Sequence, residues 1–223
     1  MKSSHAVAVV PVKDLSIAKR RLEGVSARDR RQLSLAMLAL VLSTLKRVKG
    51  LDAIAVVSRD SDVINLTRSL DLRVLAERTN GLNEAIAESA HILAQEGAST
   101  MVVIPADVPL ITSRDVNRIL EAQRGGSSVT IVPDHNGTGT NALACSPPDA
   151  ISPCFGLDSL ENHANAAENA GLALGILPLS GLALDVDTPD DLVKLSSQLP
   201  GASDYAALSA ILNNIENVGT GEP

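Results

Sequence analysis

Short Val-rich apolar runs alternate with longer amphipathic stretches over the first two-thirds of the chain. No other sequence feature restricts the fold as much, because strands separated by helix-length segments cannot pair as hairpins. Residues 6–12, 53–58, 73–76 and 100–105 read as buried strands. Ser26-x-x-Asp29 predicts a capped helix to about residue 48, and Asp60 or Ser61 opens another to about residue 70. A turn at 81–83 precedes a helix over 84–96, and Thr112-x-x-Asp115 caps one to about residue 124. This order predicts a mostly parallel sheet with helices on both faces and ligands at the carboxyl ends of the strands.

The later chain continues with strands at 128–132 and after the Gly/Thr loop at 135–145. Asp158-x-x-Glu161 opens a helix, 173–179 is a strand, and "LALDVD" is a short strand. Thr188 then serves as N-cap, with Pro189 at the first helical position and Asp191 closing a capping box. Residues 1–200 form one domain, and 201–223 form a tail with a helix at 205–213 that frays from Val218.

Composition removes several functions. One Phe, one Tyr and no Trp leave no base-stacking platform, and a net charge of −7 disfavours a nucleic-acid backbone as partner. Cys145 and Cys154 are too few for a disulfide framework or a zinc site. No apolar run reaches the roughly 20 residues of a membrane span, and no secretory leader is visible, so a cytoplasmic protein without membrane partners is expected.

Charge is concentrated. Residues 1–31 hold eight Lys/Arg and three Asp/Glu, and beyond Arg124 the only Lys or Arg is Lys194. Lys13, Lys19, Arg20 and Arg21 follow directly on the first strand, where this architecture binds phosphates. A solvated surface loop is the other reading. Asp107 follows the fourth strand, and Asp185 and Asp187 stand two apart, on one side of a strand. Three carboxylates suit Mg²⁺. The competing reading makes Asp185 and Asp187 helix-start acids.

Three further segments carry candidate chemistry. In "NGTGTNAL" Gly137 and Gly139 allow backbone N–H groups to approach an anion, or form an ordinary turn. In "FGLDSLENH" Gly156 precedes a helix on which Ser159 and His163 share a face, His163 being either a site residue or a packing histidine. Gly81-Leu82-Asn83 is either a nucleobase-binding turn or a plain helix start.

The segments "PVKDLSIAKRRL", "GLNEAI", "ADVPL", "GTGTNAL", "FGLDSLENH" and "DVDTPDDL" occur in this order. Together they resemble the CofC/FbiD family, guanylyltransferases of coenzyme F420 biosynthesis, over residues 6–195. The resemblance implies a three-layer α/β/α nucleotidyltransferase fold, Rossmann-like, in which a Lys/Arg segment replaces the usual Gly-rich first loop. It implies guanylyl transfer from GTP to a phosphorylated three-carbon acid, with Mg²⁺ and release of diphosphate. Phosphoenolpyruvate is the expected acid, with 2-phospho-L-lactate and 3-phospho-D-glycerate as alternatives. Asn141 is shared with archaeal members, and Leu157 stands where Pro is frequent. The resemblance assigns metal binding to Asp107, Asp185 and Asp187, and the charge pattern gives catalysis to Lys13, Lys19 and Arg21 together with Asp107. The nucleotide is expected at Pro11, Lys13 and Lys19 and, through backbone groups, at Gly81, Leu82 and Asn83; the resemblance gives the acid to Thr140, Gly156 and Ser159, with His163 added from its place on the same helix face as Ser159. A homodimer stays open. The alternatives are a nucleotidyltransferase for a molybdopterin or sugar phosphate, and a non-catalytic nucleotide-binding regulator.

Overall fold

A computed structural model describes residues 5–79 and 81–219. The elements run β1 (Ala6–Pro11), α1 (Ala27–Lys46), β2 (Ala53–Ser58), α2 (Ser61–Ser69), β3 (Arg73–Ala76), α3 (Leu82–Gln95), β4 (Thr100–Val103) and α4 (Ser113–Ala122). There follow β5 (Ser128–Pro133), β6 (Thr140–Ser146), α5 (Ser159–Asn169), β7 (Ala173–Ile176), α6 (Ser180–Ala183), α7 (Pro189–Gln198) and α8 (Ala206–Gly219). The helix starts are set by local chemistry. Ser26 and Asp60 accept backbone N–H groups of α1 and α2, and Thr112 and Thr188 form full capping boxes with Asp115 and Asp191.

One sheet has the order β3-β2-β1-β4-β6-β5-β7. All neighbours are parallel except β6, which is antiparallel to both β4 and β5. The reversal is made by the 134–139 loop, short enough to turn the chain back on itself. The Asp134 carboxylate accepts the N–H groups of Thr138 and Gly139 there.

Alternation along β1 explains the layers. Ala6, Ala8 and Val10 pack under α1, α2 and α4, while Val7 and Val9 pack under α3 and α5. Both faces of the central strands are covered, which is why they read as continuous apolar runs. The far side of α1 (Leu33, Met37) carries a third cluster with Val186, Leu195 of α7 and Leu208 and Leu212 of α8. The tail helix is thus packed on the body, and α8 runs to Gly219, past the point where fraying is expected.

Four local expectations change. The helix after Gly81 begins at Leu82, two residues early. Asp158 makes no side-chain cap; it adopts a left-handed conformation at φ 52°. β7 stops at Ile176, and Ser180–Ala183 is a helical turn. Residues 184–187 lie outside the sheet, tethered instead by the Val186 N–H donating to the Asp107 carbonyl. Among the described residues no helix is long and apolar enough to cross a membrane.

Candidate active site

The sheet changes connection direction between β1 and β4, and a ligand crevice is expected beyond their carboxyl ends. A cavity of about 550 Å³ opens there. It is walled by the 11–21 loop, by Pro105–Asp107, by Ser34 and Met37 of α1, by Leu82 at the start of α3, and by Asp187. Pro11, Lys13, Lys19, Arg20 and Arg21 all line it. Arg20, named in the cationic run but assigned no role, belongs to the wall as much as its neighbours.

Lys19 is at the centre. Its Nζ donates to Asp107 Oδ2 at 2.5 Å and to Asp187 Oδ1 at 2.8 Å, with only 8% of its side chain exposed. Burial pulls its pKa down, but the charges of Asp107 and Asp187 outweigh this and hold it above the ordinary value. Lys19 has a left-handed backbone, φ 55°, a conformation that costs a non-glycine residue on the order of 1 kcal/mol. The turn keeps this shape because the Lys19 carbonyl accepts from Leu22 N–H while the ammonium is held by two acids.

The acids converge from distant segments. Asp107 follows β4, and the Val186–Asp107 backbone bond sets Asp187 beside it. Asp185 has a different partner. Its Oδ1 accepts from Asn141 Nδ2 at 3.2 Å, and the same amide donates to the Leu182 carbonyl. Burial raises the Asp185 pKa; the Asn141 bond opposes this, and the charges of Asp107 and Asp187 add to the rise. The sheet argument for a shared side of Asp185 and Asp187 therefore does not hold, since neither lies in a strand. Among the described residues no group of three or more acids, histidines or cysteines stands in metal-binding array. The chemistry of the donors nevertheless fits a hard cation: all three offer carboxylate oxygens, and two already share one positive charge.

Arg21 is a rim residue, 78% exposed and 4.0 Å from Asp187. Lys13 is exposed and forms no ion pair among the described residues, leaving its charge for a ligand. The loop carrying them is pinned by Asp60, which accepts the Leu15 N–H at 3.0 Å while paired with Arg31. Sequence patterning marks Asp60 only as a helix cap; its second role depends on a residue 45 positions away.

The chain belongs to the family described as Guanylyl transferase CofC like. The family's model matches residues 6–211. A phosphoenolpyruvate guanylyltransferase of Sphaerobacter thermophilus is 39% identical over 88% of this chain and 96% of its own. A 3-phospho-D-glycerate guanylyltransferase of Colwellia psychrerythraea is 32% identical over 84% and 90%. The crystal structure of 4-diphosphocytidyl-2C-methyl-D-erythritol synthase from Anaerococcus prevotii superposes with a TM-score of 0.64 at 11% identity, covering 88% of this chain and 96% of that one, which shows the fold.

Within this family member, three expected contacts are redistributed. Asn83 is committed: its Oδ1 accepts the Phe155 N–H at 2.8 Å and its Nδ2 donates to the Phe155 carbonyl at 3.0 Å. Its side-chain amide is a clamp on the turn before α5, and the base contact expected of the 81–83 turn is one of backbone groups. Leu82 is in the cavity wall, and Gly81 is the N-cap of α3, whose first N–H groups lack intrahelical partners. The Gly/Thr loop offers no free anion nest, because the N–H groups of Thr138 and Gly139 already bond Asp134. His163 is fully buried, behind Thr140 rather than beside a ligand. Thr140 and Ser159 are themselves nearly buried, and Gly156 holds φ 128°, open only to glycine.

Proposed function

We propose that this protein transfers the guanylyl group of GTP to the phosphate of a small three-carbon acid, phosphoenolpyruvate in the first instance. 2-Phospho-L-lactate and 3-phospho-D-glycerate are the other acids of this reading. A phosphate oxygen of the acid attacks the α-phosphorus of GTP, and the bond from that phosphorus to the β-bridging oxygen breaks. Diphosphate leaves with the electron pair, and a guanosine diphospho-acid remains. A phosphate monoester is already nucleophilic near neutral pH, so the site needs charge compensation and alignment rather than a general base.

The chain's own residues supply both. Lys13, Lys19 and Arg21 meet the phosphates that become diphosphate, and the start of α3 with Gly81 and Leu82 receives the nucleoside. Thr140, Gly156 and Ser159 hold the acid. Asp107, Asp185 and Asp187 would hold Mg²⁺, which supplies neutralisation of phosphate charge when bound. Lys19 keeps Asp107 and Asp187 together in the ligand-free protein. The convergence of these two acids and Lys19 in one cavity at the β1/β4 crevice carries the reading. The product's place is the assembly of coenzyme F420.

Diphosphate release measured with GTP, CTP or ATP against the three phospho-acids tests it. Release with GTP and phosphoenolpyruvate above every other pair is the expected result. Silence with all three acids, or release with a sugar phosphate instead, overturns it.

A further inference from the structure

His163 lies on α5, fully buried, and touches two of the segments assigned to the acid. Its Nε2 is 2.8 Å from the backbone nitrogen of Cys154, and its Nδ1 is 3.0 Å from Thr140 Oγ1. The roles of the two ring nitrogens follow from the first contact. A backbone N–H can only donate, so Nε2 accepts and carries no proton. A neutral imidazole has one N–H, which therefore sits on Nδ1 and points at Thr140. Burial lowers the His163 pKa to about 4, in keeping with a neutral ring at pH 7. Phe155 packs edge-on against the ring with centroids 4.8 Å apart.

This tautomer decides what Thr140 does. With Nδ1–H donating to its oxygen, the hydroxyl keeps its own proton for another acceptor. The turn is fixed at the same time: Cys154 by His163, Phe155 by Asn83, with Gly156 left in its glycine-only conformation. Leu160 N–H donates to the Thr138 carbonyl and stitches the start of α5 to the loop that leads into β6.

We propose that His163 is the positioning residue of the phospho-acid site, aiming the Thr140 hydroxyl proton and the Phe155–Gly156 backbone at the acid without touching it. The assignment rests on the guanylyl-transfer reading, which gives Thr140 and Gly156 to the acid. Because it is a statement about hydrogen-bond direction, side-chain amides can separate its two halves. His163→Gln retains an acceptor near the Nε2 position and loses the donor to Thr140. His163→Asn retains a donor near Nδ1 and loses the acceptor for Cys154.

The experiment combines kinetics on both variants, on Thr140→Val and on the His163→Gln/Thr140→Val pair with ¹⁵N ring shifts of the wild-type protein. His163→Gln is expected to raise the KM for the phospho-acid about tenfold while the KM for GTP moves less than twofold, as loss of one directed hydrogen bond requires. The double variant should match Thr140→Val alone, the mark of two groups acting through one contact. His163→Asn should raise the acid KM too, with faster amide exchange at Cys154. The ring shifts should report a protonated Nδ1 and a bare Nε2 at pH 7. Equal rises in both KM values, additive effects in the double variant, or a proton on Nε2 would each overturn the proposal. If His163→Gln fails to fold, the His163→Asn kinetics and the ring shifts still decide. Wild-type protein silent with every acid refutes the underlying reading of function; a wrong tautomer in an active enzyme refutes only the role of His163.

Discussion

The loop after β1, which walls the cavity, and the turn before α5, which the proposed function gives to the acid, are held by different means. The first is organised by charge: Lys19 bridges Asp107 and Asp187, and Asp60 with Arg31 anchors Leu15. The second is organised by neutral hydrogen bonds: His163 and Asn83 clamp three backbone groups of Cys154 and Phe155, and no ion pair takes part among the described residues. The difference suits their work. In the proposed reaction the first region would neutralise charge on a departing diphosphate, which calls for charged groups able to exchange partners. The second would recognise a small acid by shape and direction, which a neutral network fixed within the core does without attracting the wrong ion. Removing charge should therefore hurt turnover in the first region, and removing direction should hurt acid affinity in the second.

The strongest way to break this comparison is Asp187→Asn. Loss of one carboxylate leaves Lys19 half paired and the proposed Mg²⁺ site short of a ligand, and turnover should fall by about 10²-fold or more with the fold intact. Steady-state rates alongside circular dichroism check it, and turnover within a few-fold of wild type would dissolve the claim that charge organises this region.

The neutral region is tested next by acid. An unfolded histidine titrates near 6.5, whereas His163 in the fold titrates at about 4. The folded value lies below the unfolded one, so the unfolded chain takes up the proton first as pH falls. The stability contributed is complete above about pH 6.5 and is lost progressively down to about pH 4, on the order of 2–3 kcal/mol. Urea unfolding of wild type and His163→Gln at both ends of that window measures it. The variant should lose less stability between the two; parallel losses would mean that His163 is not held neutral.

The smallest expected effect sharpens the contrast. Lys13→Ala should raise the KM for GTP about tenfold and leave the KM for the acid unchanged, the reverse of the pattern expected at His163. Initial rates with each substrate varied in turn provide the answer. A rise in the acid KM would show that the two regions share one ligand.

Much of the fold is legible because it is local. The caps at Ser26, Thr112 and Thr188 each act within three or four residues, and strand and helix periods need no distant partner. Where local reading failed, the competing influence came from elsewhere in the chain. "LALDVD" has strand composition, but the Val186 N–H finds the Asp107 carbonyl instead of a sheet neighbour. Asp158-x-x-Glu161 has the spacing of a cap, yet the left-handed turn after Gly156 leaves the Asp158 side chain unused. The Gly/Thr loop has the composition of an anion nest, and its anion is Asp134 of the same chain.

By itself the sequence determined the alternation of strands and helices through β4, the capped starts of α1, α2, α4 and α7, the cationic segment after β1 and the family. Only the tertiary structure decided how the side chains pair. Lys19 meets Asp187 across 168 positions, and Asn83 meets Phe155 across 72. Periodicity and capping are written into neighbouring residues, whereas the partner of a lysine, an amide or an imidazole is whichever polar group the sheet topology carries into hydrogen-bond range, and no local spacing records that.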